Sequence, residues 1–183
     1  MKCFILLMLT LMLVACNTVS DEITIPGDDI PDGEGFYTLQ SGNFRLRYKV
    51  VSGDMLECEL RANTTGWVAV GFNPSAQMQD ANFIIGNVIE GVGTVRDDWG
   101  NSPTSHLPDT DLGGTNDVEP VTAMEAEGVS QLRFRLPLNS GDSKDVVLVP
   151  GSSYPVIFAS GSEDDLDSYH SSLGAGTIKI RNP

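Results

Sequence analysis

Two side chains in this sequence could share one soft metal centre. Met78 places a thioether in an otherwise polar segment, residues 74–80 (PSAQMQD), between the apolar runs 67–72 (WVAVGF) and 82–86 (NFIIG). His170, one of only 2 histidines, lies far downstream, next to Tyr169. On opposite sides of an iron porphyrin, a thioether and an imidazole fill both axial positions and raise the potential. With no position open for oxygen chemistry, such a centre moves single electrons. The same residue types also suit plainer roles, a loop methionine that packs and a solvated histidine ahead of a strand, and residue chemistry alone leaves both readings open.

Other chemistries lack their parts. The chain has no nucleophile elbow, no Walker loop, no dinucleotide fingerprint and no cysteine placed with a histidine for nucleophilic catalysis. Two histidines without a companion cysteine or a close second histidine do not make a structural zinc site. The acidic run 162–167 (SEDDLD) lacks the spacing of a helix-loop-helix calcium site, and as a solvated loop it needs no ion.

Residues so far apart can meet only in a fold that gathers distant loops, and the hydrophobic period says which one. Phe44, Leu46, Tyr48 and Val50 alternate with Arg45, Arg47 and Lys49. Leu132, Phe134 and Leu136 alternate with Arg133 and Arg135, and Ile178 and Ile180 with Thr177, Lys179 and Arg181. A period of two marks half-buried antiparallel strands. Turn signals separate them at residues 41–43 (SGN), 52–54 (SGD), 63–66 (NTTG), 139–142 (NSGD) and 150–152 (PGS). Short strands at this spacing predict an all-β sandwich or barrel. Residues 122–127 (TAMEAE) fit one helical turn or a strand, and residues 97–117, which hold Trp99 and His106, read as a long loop by their Gly, Pro, Asp and Asn content.

The start of the chain carries an address. Lys2, an apolar run over residues 4–14 and the sequence LVAC at 13–16 predict a cleaved export signal over residues 1–15. LVAC resembles the bacterial lipoprotein box, which implies lipid on Cys16 and a place in the cell envelope. Asn17, where an aspartate would signal inner-membrane retention, favours the outer membrane. Residues 16–35 are rich in Asp, Gly and Pro and predict a flexible acidic tether, with the folded domain over 36–183. With Cys3 removed and Cys16 lipidated, Cys58 remains, and its parity with Leu56 and Leu60 predicts a buried apolar role. The formal net charge of −14 argues against nucleic acid and anionic membrane surfaces as partners.

Residues 66–74 (GWVAVGFNP), then Met78, then 84–86 (IIG) resemble the DOMON domain family. Further matches follow in order: Asp97 and Asp98 ahead of a proline-containing loop, 132–138 (LRFRLPL), 154–159 (YPVIFA), and Tyr169-His170 before the last strand. The resemblance implies an immunoglobulin-like antiparallel β-sandwich that binds haem b or, in some members, sugars. It also implies that Met78 and His170 are the axial ligands, in a cofactor site with Trp67, Phe72, Phe83, Phe158 and Tyr169 nearby. Phe72, Phe83 and Phe158 are expected to wall an apolar slot, although Trp67 and Phe72 also suit the sandwich core. Phe158 stands where the family often has Trp, and residues 171–174 (SSLG) lack the family's frequent arginine. Arg45, Arg47, Arg133 and Arg135 are then the cations left for the propionates, on faces that otherwise read as solvent-exposed. His106 is the rival ligand, in a loop without a strand to hold it. The expected function is electron exchange with another exported redox protein, a basic one given the chain's acidity, without an enzymatic activity of its own. The alternatives are a carbohydrate-binding module using Trp99 and a structural surface sandwich.

Overall fold

Alternation in the sequence becomes alternation in exposure. In the computed structural model, which describes residues 30–51 and 54–182, Phe44, Leu46 and Tyr48 are buried, and the arginines and lysine between them are half-buried. The strands are β1 (Tyr37–Ser41), β2 (Phe44–Val51), β3 (Met55–Ala62), β4 (Val68–Phe72), β5 (Asn82–Ile89), β6 (Val92–Ser102), β7 (Ser105–Pro108), β8 (Glu119–Ala126), β9 (Val129–Pro137), β10 (Ser153–Ser160) and β11 (Ser172–Lys179). They form a five-stranded sheet, β1-β2-β3-β9-β8, and a six-stranded sheet, β11-β10-β4-β5-β6-β7, antiparallel throughout. The inward residues of both sheets make one core, in which Phe44 of β2 stacks on Phe158 of β10 with ring centroids 5.5 Å apart. Cys58 is buried in that core, as its parity predicts, and burial pushes its thiol pKa up.

On the outer face of the five-stranded sheet, cross-strand charges replace apolar contacts. Glu57 of β3 is almost fully buried and accepts hydrogen bonds from Arg133 and from Arg135 of β9, the latter at 2.8 Å. Burial alone would raise the Glu57 pKa, but the two guanidinium groups hold it below its ordinary value. Glu59 bonds Arg45 and Arg47 at 3.4 and 3.2 Å. The four arginines are therefore ion-paired and half-buried on this sheet, which corrects the expectation of simple solvent exposure.

Two further expectations change. The stretch 97–117 is no loop: β6 runs through Ser102, β7 follows after a short turn, and a 3-10 turn covers Asp109–Leu112. Residues 122–127, open by sequence to a helical turn or a strand, take the strand reading and lie mostly in β8. At the other end, Asp32 and Glu34, which composition assigns to the tether, bond Arg47 at 2.6 and 2.8 Å and are held against the sandwich. The expected signal over 1–15, the lipidated Cys16 and most of the tether lie outside the described residues.

Candidate functional site

The outer face of the six-stranded sheet carries the residues that the sequence singles out. Along β4, Val68, Val70 and Phe72 join the core, so Ala69 and Gly71 face outward, paired across β5 with Ile85 and Phe83 and across β10 with Ala159 and Ile157. Ala69 and Ile85 form a second buried apolar cluster with Trp67, against which Ala159 and Leu166 pack. The residues of this floor are all buried, Ala69 at 3%, Phe83 at 4% and Ile85 at 1% exposure, so the chain itself covers it. A Cβ on Gly71 would meet the Phe83 ring at 2.5 Å, so that ring lies over the glycine.

One end of this floor is covered by the connection between β10 and β11, which carries His170. Trp67 Nε1 donates to Ser168 Oγ at 2.9 Å, the Asn87 side chain donates to the carbonyl of Asp164, and Arg96 bonds Asp167 at 3.1 Å. These contacts draw the connection across β4 and β5 to β6. Gly161 permits it, because a Cβ there would sit 2.1 Å from Trp67 Nε1. His170 is half-buried with its ring 4.3 Å from that of Tyr169, which is 86% exposed.

The other end is bounded by the β4–β5 loop, which carries Met78. Met78 is half-buried, and its amide donates to Pro103 in the β6–β7 turn at 3.2 Å. A Cβ on Gly100 would collide with the Met78 carbonyl oxygen at 1.7 Å, so this glycine lets the loop lie directly on β6. Gln77 and Asp80, both at positive φ, shape the loop. Met78 and His170 thus stand at opposite ends of β4, a strand about 13 Å long from its rise per residue. The structure brings them to one sheet and not into contact.

The sequence places His106 in a loop, and here the structure differs. It lies in β7, at the Met78 end, with Nδ1 2.7 Å from Asp98 Oδ2 and its ring 5.4 Å from that of Phe83. Asp98 is fully buried and also accepts from Arg96 at 2.6 Å. Burial would raise its pKa, but the bonds from His106 and Arg96 outweigh that and lower it. An imidazole oriented through one nitrogen by a carboxylate, with the other free, is the usual support of a histidine ligand. Among the expected wall residues, Phe83 and Trp67 lie on the outer face, whereas Phe72 and Phe158 point into the core and wall no slot there. Trp99 is not a loop aromatic: it sits in β6 opposite the buried Asn82.

The DOMON domain model matches residues 40–161, more than half of the chain. The chain belongs to the DOMON family. Among curated proteins it is similar to DBH-like monooxygenase protein 1, with 28% identity to the mouse protein over 97% of this chain and 26% to the human protein over all of it. It spans only 28% of the length of either relative. Among solved structures it shares its fold with the cytochrome b domain of Coprinopsis cinerea pyranose dehydrogenase, at TM-score 0.58 and 14% identity over 78% of this chain and 80% of that one. The cytochrome domain of Myriococcum thermophilum cellobiose dehydrogenase gives TM-score 0.59 and 11% identity over 81% and 85% of the two chains. The architecture of this DOMON domain is thus the one those cytochrome domains use.

The donor types and the apolar character of the floor, rather than an open slot, are what suit a haem. A thioether and two imidazoles border an outward face of small and apolar residues, with no charged side chain on β4. Soft or borderline donors suit iron, and a flat ring would reach this face only by displacing the segments that cover it.

Proposed function

We propose that this DOMON domain is an exported, lipid-anchored b-type cytochrome domain that passes single electrons to or from another exported redox protein. The observation that carries the reading is the thioether and imidazole bordering one outer face, on a fold shared with two cytochrome domains. Bound haem supplies one-electron chemistry. Met78 and His170 would hold its iron, Phe83 and Trp67 would pack against the ring, and the connection that carries His170 would keep water from the face. Because Met78 and His170 leave opposite ends of β4, one iron can take both only if the loops that carry them move together. In this reading the domain carries electrons without catalysis of its own, and Cys16 supplies the membrane attachment.

A second ligand assignment rests on the His106–Asp98 hydrogen bond of 2.7 Å, which orients an imidazole at the Met78 end. The experiment covers both. The chain is loaded with haem, and the reduced and oxidised spectra are compared with those of Met78→Ala, His170→Ala and His106→Ala. Sharp low-spin bands that disappear in Met78→Ala and His170→Ala support the first assignment, and loss in His106→Ala instead of His170→Ala moves the ligand to β7. A wild-type chain that takes up no haem rejects the proposal. The acidic charge makes a basic partner the fitting one, so electron exchange should slow steeply with added salt.

A further inference from the structure

At the inner edge of the six-stranded sheet, three carboxylates from separate segments converge. Asp97 lies in β6 opposite the core residue Ile84, Asp109 opens the 3-10 turn after β7, and Asp145 lies in the connection between β9 and β10. One oxygen of each lies within 4.8 Å of the others. Asp109 is 0% and Asp97 2% exposed. Among the described residues, no lysine, arginine or histidine forms an ion pair with any of the three.

What distinguishes the corner from an ordinary acidic surface is its unpartnered oxygen. Asp97 Oδ1 and both carboxylate oxygens of Asp109 are buried without a hydrogen bond. The same is true of Oδ1 of Asn82, a 2% exposed residue whose Nδ2 contacts Asp145. Buried polar atoms are rarely left unpaired in a native fold, and three carboxylate oxygens unpaired at one corner call for a missing partner. Burial and mutual repulsion push Asp97 up to about 8, Asp109 to about 7 and Asp145 to about 6, so the cluster needs positive charge or protons.

We propose that Asp97, Asp109 and Asp145, with the side-chain carbonyl of Asn82, form a calcium site that ties β6, the 3-10 turn and the β9–β10 connection together. The donors are all oxygen, which disfavours zinc and copper. Oxygens on one calcium ion lie up to about 5 Å apart, twice the usual bond length, in agreement with the 4.8 Å spread. Magnesium holds shorter bonds and keeps several waters, which a buried protein cage does not favour. Turning the Asn82 amide over brings Oδ1 to the place of Nδ2, and the ion then meets a donor from β5 as well. The bound ion braces the base of the β6–β7 hairpin, on whose turn the Met78 loop hangs through Pro103.

The test uses the full chain, freed of metal with a chelator, and does not depend on haem. Calcium should raise the melting temperature by about 5–10 °C at a hundredfold excess over Kd, and magnesium far less. Terbium bound in its place should luminesce on tryptophan excitation, because Trp99 lies opposite Asn82. Calcium should quench that signal by displacement, and Trp99→Phe should dim it. Asp109→Asn and Asp145→Asn should each weaken calcium binding at least tenfold. Their metal-free melting temperatures should equal or exceed that of the metal-free parent, since each removes a buried charge. Glu163→Gln, in the exposed acidic run, should leave the response intact. No calcium response in the parent chain overturns the site, as does a response kept by both asparagine variants or lost in Glu163→Gln.

Discussion

Replacing Gly161 with alanine tests how the His170-bearing connection is held. The new methyl carbon would lie 2.1 Å from Trp67 Nε1 and 2.6 Å from Cε2. The indole cannot swing aside cheaply, because it is 3% exposed and packed with Ala69, Ile85 and Leu166. Gly161 does not have a positive φ, so the penalty is steric. Overpacking of this kind costs about 1–3 kcal/mol. If the indole shifts, the bond to Ser168 is lost as well, which adds about 1 kcal/mol. The expected total of about 2–4 kcal/mol lowers the melting temperature by roughly 5–15 °C for a domain of this size. Urea denaturation of Gly161→Ala, Trp67→Leu and the double variant measures it directly. In the Trp67→Leu background the colliding atoms are gone, so the alanine should cost under about 1 kcal/mol, a coupling of at least about 1 kcal/mol between the sites. Amide exchange over residues 161–171 should quicken in Gly161→Ala. A full penalty in both backgrounds, or a Gly161→Ala cost below about 0.5 kcal/mol, refutes the wedge.

Phe158→Ala should lower stability by about 3–5 kcal/mol in denaturant melts, because the ring is buried against Phe44. The spectrum of any haem carried by its folded fraction should keep its shape, whereas Phe83→Ala should shift it; the reverse pattern would place the slot inside the sandwich. A third expectation concerns pH in chelator. The raised carboxyls bind protons more tightly in the folded chain, so their contribution is full below the ordinary carboxylate range and is lost as pH rises toward about 8, the Asp97 value. Asp117 and Asp142 face the same corner and add to the repulsion. Glu57 and Asp98 are lowered, so their contribution is lost only below the ordinary carboxylate pKa, outside this window. Calorimetry of metal-free protein should therefore give a higher melting temperature at pH 5 than at pH 8, and saturating calcium should flatten the difference. A metal-free melting temperature that rises over this range contradicts the burial of unpaired acid.

The residues that alternate at period two determined much of this fold by themselves. Phe44, Leu46 and Tyr48 bury one side of a strand whatever else the chain does, because side-chain direction in a strand follows from local backbone geometry. The ordered DOMON motifs likewise carry the family in the sequence itself. Residues 97–117 escaped that logic. Asp97, Asp98 and Asp109 look like loop residues, since a carboxylate inside a strand is costly without partners that local sequence does not reveal. Asp98 finds His106 and Arg96 only once β6 and β7 pair, and Asp97 meets Asp109 and Asp145 only when three segments close on one corner. Which face each aromatic ring takes was also a tertiary decision. Parity sets Phe158 and Ala159 on opposite sides, but only the packing of the second sheet decides that the Phe158 side is the interior, where Phe44 awaits it. For the same reason the sequence could pair Met78 with His170 by family resemblance, while the strand register alone shows that they leave opposite ends of β4 and that His106 shares the methionine's end.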